Sequence, residues 1–156
     1  MKILVTGGYG LIGHNVVQRL KRQDHLVSII DNKTNYGIIP QDELEYLLDE
    51  RRKKIRTQDV YRTDIADGEA FDRVVANHRP DVIIHMASFP RQKVVNANPA
   101  WGARVMMEGL INICESAKKY RVDRVVYISS SMVYGDFEDQ VLEDDDCHPI
   151  GQYGIM

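Results

Sequence analysis

The chain has 156 residues, 44% of them apolar and 28% charged, and a formal net charge of −3 at pH 7. That balance suits one soluble globular domain and excludes a disordered chain; it also leaves no electrostatic footprint for nucleic acid or an anionic membrane. No apolar run approaches the ~18 residues of a membrane span, the N-terminus lacks the parts of a signal peptide, and Cys114 and Cys147 have no metal-ligand spacing, so a cytoplasmic protein without metal is expected.

Lys2-Ile3-Leu4-Val5 is an apolar, β-branched run and predicts a buried strand. Thr6-Gly7-Gly8-Tyr9-Gly10-Leu11-Ile12-Gly13 follows, and Val16, Val17 and Leu20 continue a helical face begun by Leu11 and Ile12. The glycines therefore sit where a strand turns into a helix. The first N–H groups of that helix lack internal partners, and the helix dipole adds positive potential. Without Cβ atoms in the way an anion can approach, so the turn suits the diphosphate of a dinucleotide. Leu26-Val27-Ser28-Ile29-Ile30 is a second strand, with Asp31 at its end. Asp31 stands about 18 residues beyond Gly13, close to the ~20 of the dinucleotide fingerprint. A carboxylate there accepts hydrogen bonds from the adenosine ribose and repels a 2′-phosphate. NAD is favoured over NADP, and Lys33 softens the preference.

Asn32 to Gly37 reads as a loop beside the adenosine, and Gln41 to Lys54 as a helix with Leu44, Leu47 and Leu48 on one side. The mixed-sign run Asp49 to Lys54 reads as a solvated face. A short strand at Val60-Tyr61-Arg62 leads to Asp64-Ile65 at the adenine edge, where Asp64 accepts from the base and Ile65 packs on its ring. By position alone, Asp64 could equally cap the helix that starts near Asp67. That helix, Glu69 to His78, stops at Arg79-Pro80. Asp81 to Met86 predicts the next buried strand, with His85 a packed or backbone-bonded histidine near its end and Ala87-Ser88 passing the cofactor.

Phe89 to Pro99 reads as a loop whose Arg91 and Lys93 are solvated cations or phosphate contacts. Ala100 to Tyr120 predicts a long helix with Val105, Leu110, Ile113, Cys114 and Ala117 on its core face; Met106 and Met107 widen that face for core or subunit contact. Arg124 to Ile128 is the fifth strand. Strands alternating with helices mean an α/β fold with a doubly wound parallel sheet. In such sheets ligands lie at the carboxyl ends of the strands, where Ser129, Ser130 and Ser131 follow the fifth. The acidic run Glu143 to Asp146 reads as a solvated loop. The adjacent Cys147 and His148 are no nucleophile pair, because neighbours in sequence seldom aim at one atom.

These motifs together resemble the extended short-chain dehydrogenase/reductases, and among them the NAD-dependent sugar-nucleotide epimerase/dehydratase family. The likeness rests on Gly7, Gly10 and Gly13 after Thr6, on Asp31-Asn32, on Asp64-Ile65, on His85-Met86-Ala87-Ser88 and on Val133-Tyr134-Gly135. It implies a Rossmann fold and NAD held by Gly7, Gly10, Leu11, Ile12, Gly13, Asp31, Asn32, Asp64, Ile65, Met86, Ala87 and Ser88. It also implies a catalytic Ser130 and a catalytic Tyr153, the tyrosine of the family's Tyr-x-x-x-Lys motif. Tyr153 as phenolate takes a sugar hydroxyl proton while NAD takes the hydride, and Ser130 bonds the reacting oxygen. A phenol of ordinary pKa ~10 needs a nearby cation for this.

The chain departs from the family in two ways. Met106 stands where the family usually has Asn, and the residues end one short of the motif's lysine. The resemblance thus covers an N-terminal part. Residues 1–156 are expected to be an incomplete NAD-binding domain, inactive alone, with a nucleotide-sugar substrate in the complete protein. An uncovered fifth strand and bare helix faces imply self-association, most simply as a homo-oligomer. Two other functions fit the same residues. One is a non-catalytic NAD-binding module or a subunit of a split enzyme; the other is an extended-family reductase acting on a non-sugar carbonyl.

Overall fold

The computed structural model describes residues 1–56, 59–89, 91–137 and 140–156. Its sheet has five parallel strands in the order β3-β2-β1-β4-β5, formed by β1 (Lys2–Thr6), β2 (Leu26–Ile30), β3 (Val60–Tyr61), β4 (Val82–His85) and β5 (Arg124–Tyr127). β1 is central and pairs Leu4 with Ser28 of β2 and with Ile83 of β4. After β3 the chain crosses to the other side of β1. The connections leaving β1 and β4 therefore diverge, and a crevice opens at their carboxyl ends.

Side chains along a strand alternate between faces. On one face Ile3, Val5, Val27 and Ile29 pack with Val17 of α1 (Gly13–Arg22) and Ile55 of α2 (Gln41–Ile55). On the other, Leu4, Ile30 and Ile83 pack with Phe71 and Val75 of α3 (Gly68–His78) and with Ile113 of α6 (Gly109–Tyr120). Both faces are covered, which is why these strands read as continuous apolar runs. Each such fully buried aliphatic side chain contributes ~1.5–3 kcal/mol of transfer free energy.

Several expectations need correction. The expected loop from Phe89 to Pro99, of which Pro90 lies outside the described residues, contains α4 (Gln92–Ala97), anchored by the fully buried Val95. Six residues are too few to show a helical period. The long helix begins at Pro99, whose fixed φ suits a first helical position. It runs as α5 (Pro99–Ala103), a π-helical turn (Arg104–Glu108) and α6. Cys114 is exposed rather than core. The buried face of α6 is Gly109, Ile113, Ser116 and Ala117. Leu11 and Ile12 do not extend the core face of α1, for they are 72% and 64% exposed. Asp67, not Asp64, caps α3, its carboxylate accepting from the amide of Ala70 at 3.0 Å. A 3-10 turn (Ser131–Tyr134) follows β5, and the last helix is α7 (Gly151–Ile155). No described helix is long and apolar enough to cross a membrane.

Candidate functional site

A cavity of about 730 Å³ runs along the carboxyl ends of the strands. Gly7, Gly10, Leu11, Ile12 and Gly13 form its wall at the start of α1. The turn is locked from inside: the amide of Gly7 donates to the carbonyl of Ile30 at 2.8 Å, and that of Gly10 to the carbonyl of Gly7 at 2.9 Å. Gly7 has φ +70°, a left-handed conformation that favours glycine. A Cβ on Gly13 would stand 2.1 Å from the carbonyl oxygen of Gly7, so only glycine lets the helix start this close to the turn. No side chain caps α1. Among the described residues, none accepts from the amides of Leu11, Ile12 or Gly13. Three bare donors at a helix N-terminus, on a cavity wall, suit a diphosphate.

Asp31 stands across the turn. Its two carboxylate oxygens accept from the amides of Tyr9 and Lys33, each at 2.8 Å. Burial raises its pKa above the ordinary aspartate value, and those two amides oppose the rise, as do the charges of Lys33 and Arg51. Asn32 follows, its amide donating to Asp64 at 3.3 Å. The other oxygen of Asp64 accepts from the amide of Ala66 at 2.9 Å and shapes the bend that carries Ile65 to the cavity. A carboxylate and an amide at one edge, with an aliphatic side chain beside them, match the hydrogen-bonding edge and the face of a purine.

Met86, Ala87 and Ser88 line the middle of the cavity beyond β4. The hydroxyl oxygen of Thr6 accepts from the amides of Met86 and Ala87, both at 3.1 Å, and is hydrogen-bonded to Nδ1 of His85 at 2.8 Å. Burial lowers the His85 pKa to about 4, so the ring is neutral near pH 7. His85 is therefore bonded to a side chain, not to the backbone, and it ties β4 to β1.

Ser130 and Tyr153 line the far end. The Ser130 oxygen accepts from the amide of Met132 at 3.2 Å, which caps the 3-10 turn and leaves its proton free to donate into the cavity. Tyr153 lies on α7 and packs, half-buried, against the core. The π-helical turn presents Val105 and Met106 to the same space. Thus the residues expected to hold NAD, with Ser130 and Tyr153, border one cavity, and Ser131 does not. Arg91 and Lys93 are exposed and lie outside it.

Sequence reading missed two groups. Tyr36, Phe89 and Trp101 form a three-ring cluster, with centroids 4.3 Å apart for Tyr36 and Phe89, 5.3 Å for Tyr36 and Trp101, and 5.0 Å for Phe89 and Trp101. Tyr36 and Phe89 line the cavity, and burial raises the pKa of the Tyr36 phenol. The second group is Arg51, whose guanidinium donates to the carbonyl of Tyr9 at 2.6 Å. The aromatic cluster joins three distant segments, and Arg51 sits in a charge run, so no local pattern announces either.

Residues 3–156 match the model of the NAD dependent epimerase/dehydratase family. The chain is 32% identical, over its whole length, to a UDP-glucose 4-epimerase of Bacillus subtilis, and 34% identical over 86% of its length to one of Neisseria meningitidis serogroup C. It spans 45% and 38% of those two relatives, less than half of either. Among solved structures it resembles a Thermus thermophilus UDP-glucose 4-epimerase in complex with NAD, at 25% identity and a TM-score of 0.81 over 99% of this chain and 47% of that one. It also resembles a Thermotoga maritima UDP-glucose 4-epimerase with UDP-glucose, at 28% identity and a TM-score of 0.79 over the same shares. The parallel sheet, the glycine turn and the family match agree: this chain belongs to the NAD dependent epimerase/dehydratase family.

Proposed function

We propose that the chain is the NAD-holding part of a nucleotide-sugar epimerase or dehydratase. One observation supports this above the rest: Leu11, Ile12 and Gly13, whose amides have no acceptor among the described residues, line the same cavity as the partly buried carboxylate of Asp31. Anion donors beside a ribose acceptor are what an adenine dinucleotide needs. In this reading the three amides take the diphosphate, and Gly7 and Gly10 shape the turn that lets it approach. Asp31 accepts from the adenosine ribose, Asn32, Asp64 and Ile65 take the adenine, and Met86, Ala87 and Ser88 flank the nicotinamide end.

Bound NAD supplies a hydride acceptor. The chain's own residues handle the proton and the oxygen. Ser130 donates its free proton to the reacting sugar oxygen, and Tyr153, as phenolate, takes the proton from the sugar hydroxyl. Neutral His85 holds the turn after β4 without adding positive charge beside the nicotinamide. The nucleotide-sugar substrate, the choice between epimerisation and dehydration, and assembly into a homo-oligomer belong to this proposal for the complete protein.

Calorimetric titration of the chain with NAD tests the reading. Saturable binding of one NAD per chain, competed by ADP-ribose, supports it. Absence of saturable binding, or competition by nucleotides that lack a diphosphate as strong as that by ADP-ribose, contradicts it.

A further inference from the structure

Two cations that the proposed function does not use meet at Tyr9, whose amide holds Asp31. On α2, Arg52 and Lys53 turn outward and pair with Asp49 and Glu50. Arg51, between Glu50 and Arg52, turns inward. Its Nη1 donates to the carbonyl of Tyr9 at 2.6 Å, and it lines the cavity. Lys33 also lines the cavity, its ammonium 4.7 Å from the centroid of the Tyr9 ring. The amide of the same Tyr9 donates to Asp31 at 2.8 Å. One residue therefore carries a carboxylate on its N–H, a guanidinium on its C=O and an ammonium over its ring.

Among the described residues neither Arg51 nor Lys33 makes a direct ion pair. A guanidinium has five N–H donors, and the Tyr9 carbonyl occupies one of them. Two positive charges thus border, through Tyr9, the part of the cavity that Asp31 lines. A phosphate on the ribose 2′-oxygen would be repelled by the single carboxylate and attracted by both cations.

Resting on the reading that this cavity holds an adenine dinucleotide with its ribose at Asp31, we propose that Arg51 and Lys33 form a 2′-phosphate subsite overlapping the ribose carboxylate. The chain then takes NADP as well as NAD and separates them by a narrow margin. Asp31 sets the preference for NAD, Arg51 is the principal determinant for NADP, and Lys33 assists.

The test is calorimetric titration of the whole chain with NAD and with NADP, in parallel. The parent chain is expected to favour NAD by no more than about tenfold. Arg51→Gln keeps an N–H for the Tyr9 carbonyl but removes the charge. It is expected to weaken NADP about tenfold and to leave NAD within about twofold, widening the ratio. Lys33 has φ +58°, which asparagine tolerates, so Lys33→Asn gives a second variant, expected to shift the ratio the same way by a smaller factor. Asp31→Asn is expected to invert the preference. Three results would overturn the subsite: equal losses for both nucleotides in Arg51→Gln, an unmoved ratio in Lys33→Asn, or a parent chain favouring NAD by more than about a hundredfold. Binding of neither nucleotide by the parent would overturn the proposed function together with it.

Discussion

Asp31 and Ser130 each follow a strand of the same sheet, on opposite sides of β1, and they are held very differently. Asp31 follows β2, whose Ile29 and Ile30 are fully buried, and both its oxygens accept from backbone amides. Ser130 follows β5, the last strand of the described sheet, where Val126, Tyr127 and Ile128 are 37%, 44% and 48% exposed. One longer contact, from the amide of Met132 at 3.2 Å, holds the Ser130 oxygen. In the proposed reading the adenosine end of the cavity is therefore an extension of the core, and the reacting end stands on the margin of the sheet. Changes at the first end should alter folding and cofactor affinity together. Changes at the second should alter chemistry and leave affinity alone.

The strongest way to break that contrast is Gly13→Ala. Its new Cβ meets the Gly7 carbonyl at 2.1 Å, and the turn must open. NAD affinity in calorimetry should fall at least about a hundredfold, roughly 3 kcal/mol, within the upper range for overpacking a closed site.

His85, which ties β4 to β1 between the two ends, gives the next largest effect. Its folded pKa is lowered to about 4 by burial, below the unfolded ~6.5, so the unfolded chain binds the extra proton between those values. Stability is fully present above pH ~6.5 and falls as the pH drops toward ~4, by up to about 3 kcal/mol. Urea melts across that range should show the slope, and His85→Gln should flatten it.

Asp31→Asn keeps the side chain's shape, but its single neutral oxygen can accept from only one of the two amides, Tyr9 or Lys33, and its NH2 faces the other. NAD should bind about tenfold more weakly, the difference between a charged and a neutral acceptor. In the parent, burial raises the Asp31 pKa, so affinity should decline on acidification sooner than an exposed aspartate would allow. Titrations at descending pH read this directly.

Tyr36→Leu removes two of the three ring contacts that join the loop after β2 to Phe89 and Trp101. A loss of about 1–3 kcal/mol in urea melts is expected, at 0.5–1.5 kcal/mol per aromatic pair. Trp101, the one tryptophan in the chain, reports the loosening by its emission. Ser130→Ala sharpens the comparison from the other side, since NAD affinity should stay within about twofold. A large loss there would mean that the two ends are not independent.

Sequence was most readable where function depends on near neighbours. The glycine turn and Asp31 are set by spacing along one strand–helix–strand unit, and the parallel sheet follows from alternating elements. It was least readable where contacts span the chain. Arg51 looks like its solvated neighbours, yet it reaches Tyr9, 42 positions away. Cys114 looked like core because it is apolar. The real face of α6 uses Gly109 and Ser116, whose small size brings the helix close to its neighbours: a Cβ on Gly109 would lie 2.7 Å from Ile65, and Ser116 donates to Asp72 at 3.3 Å. Leu11 and Ile12 looked like a core stripe, but they flank the bare amides at the cavity mouth.

A crystal structure of the chain grown with NAD tests the central claim most directly. The account predicts the diphosphate on the amides of Leu11, Ile12 and Gly13, with a ribose hydroxyl donating to Asp31. NAD bound elsewhere, or those amides closed onto protein carbonyls with NAD present, would contradict it.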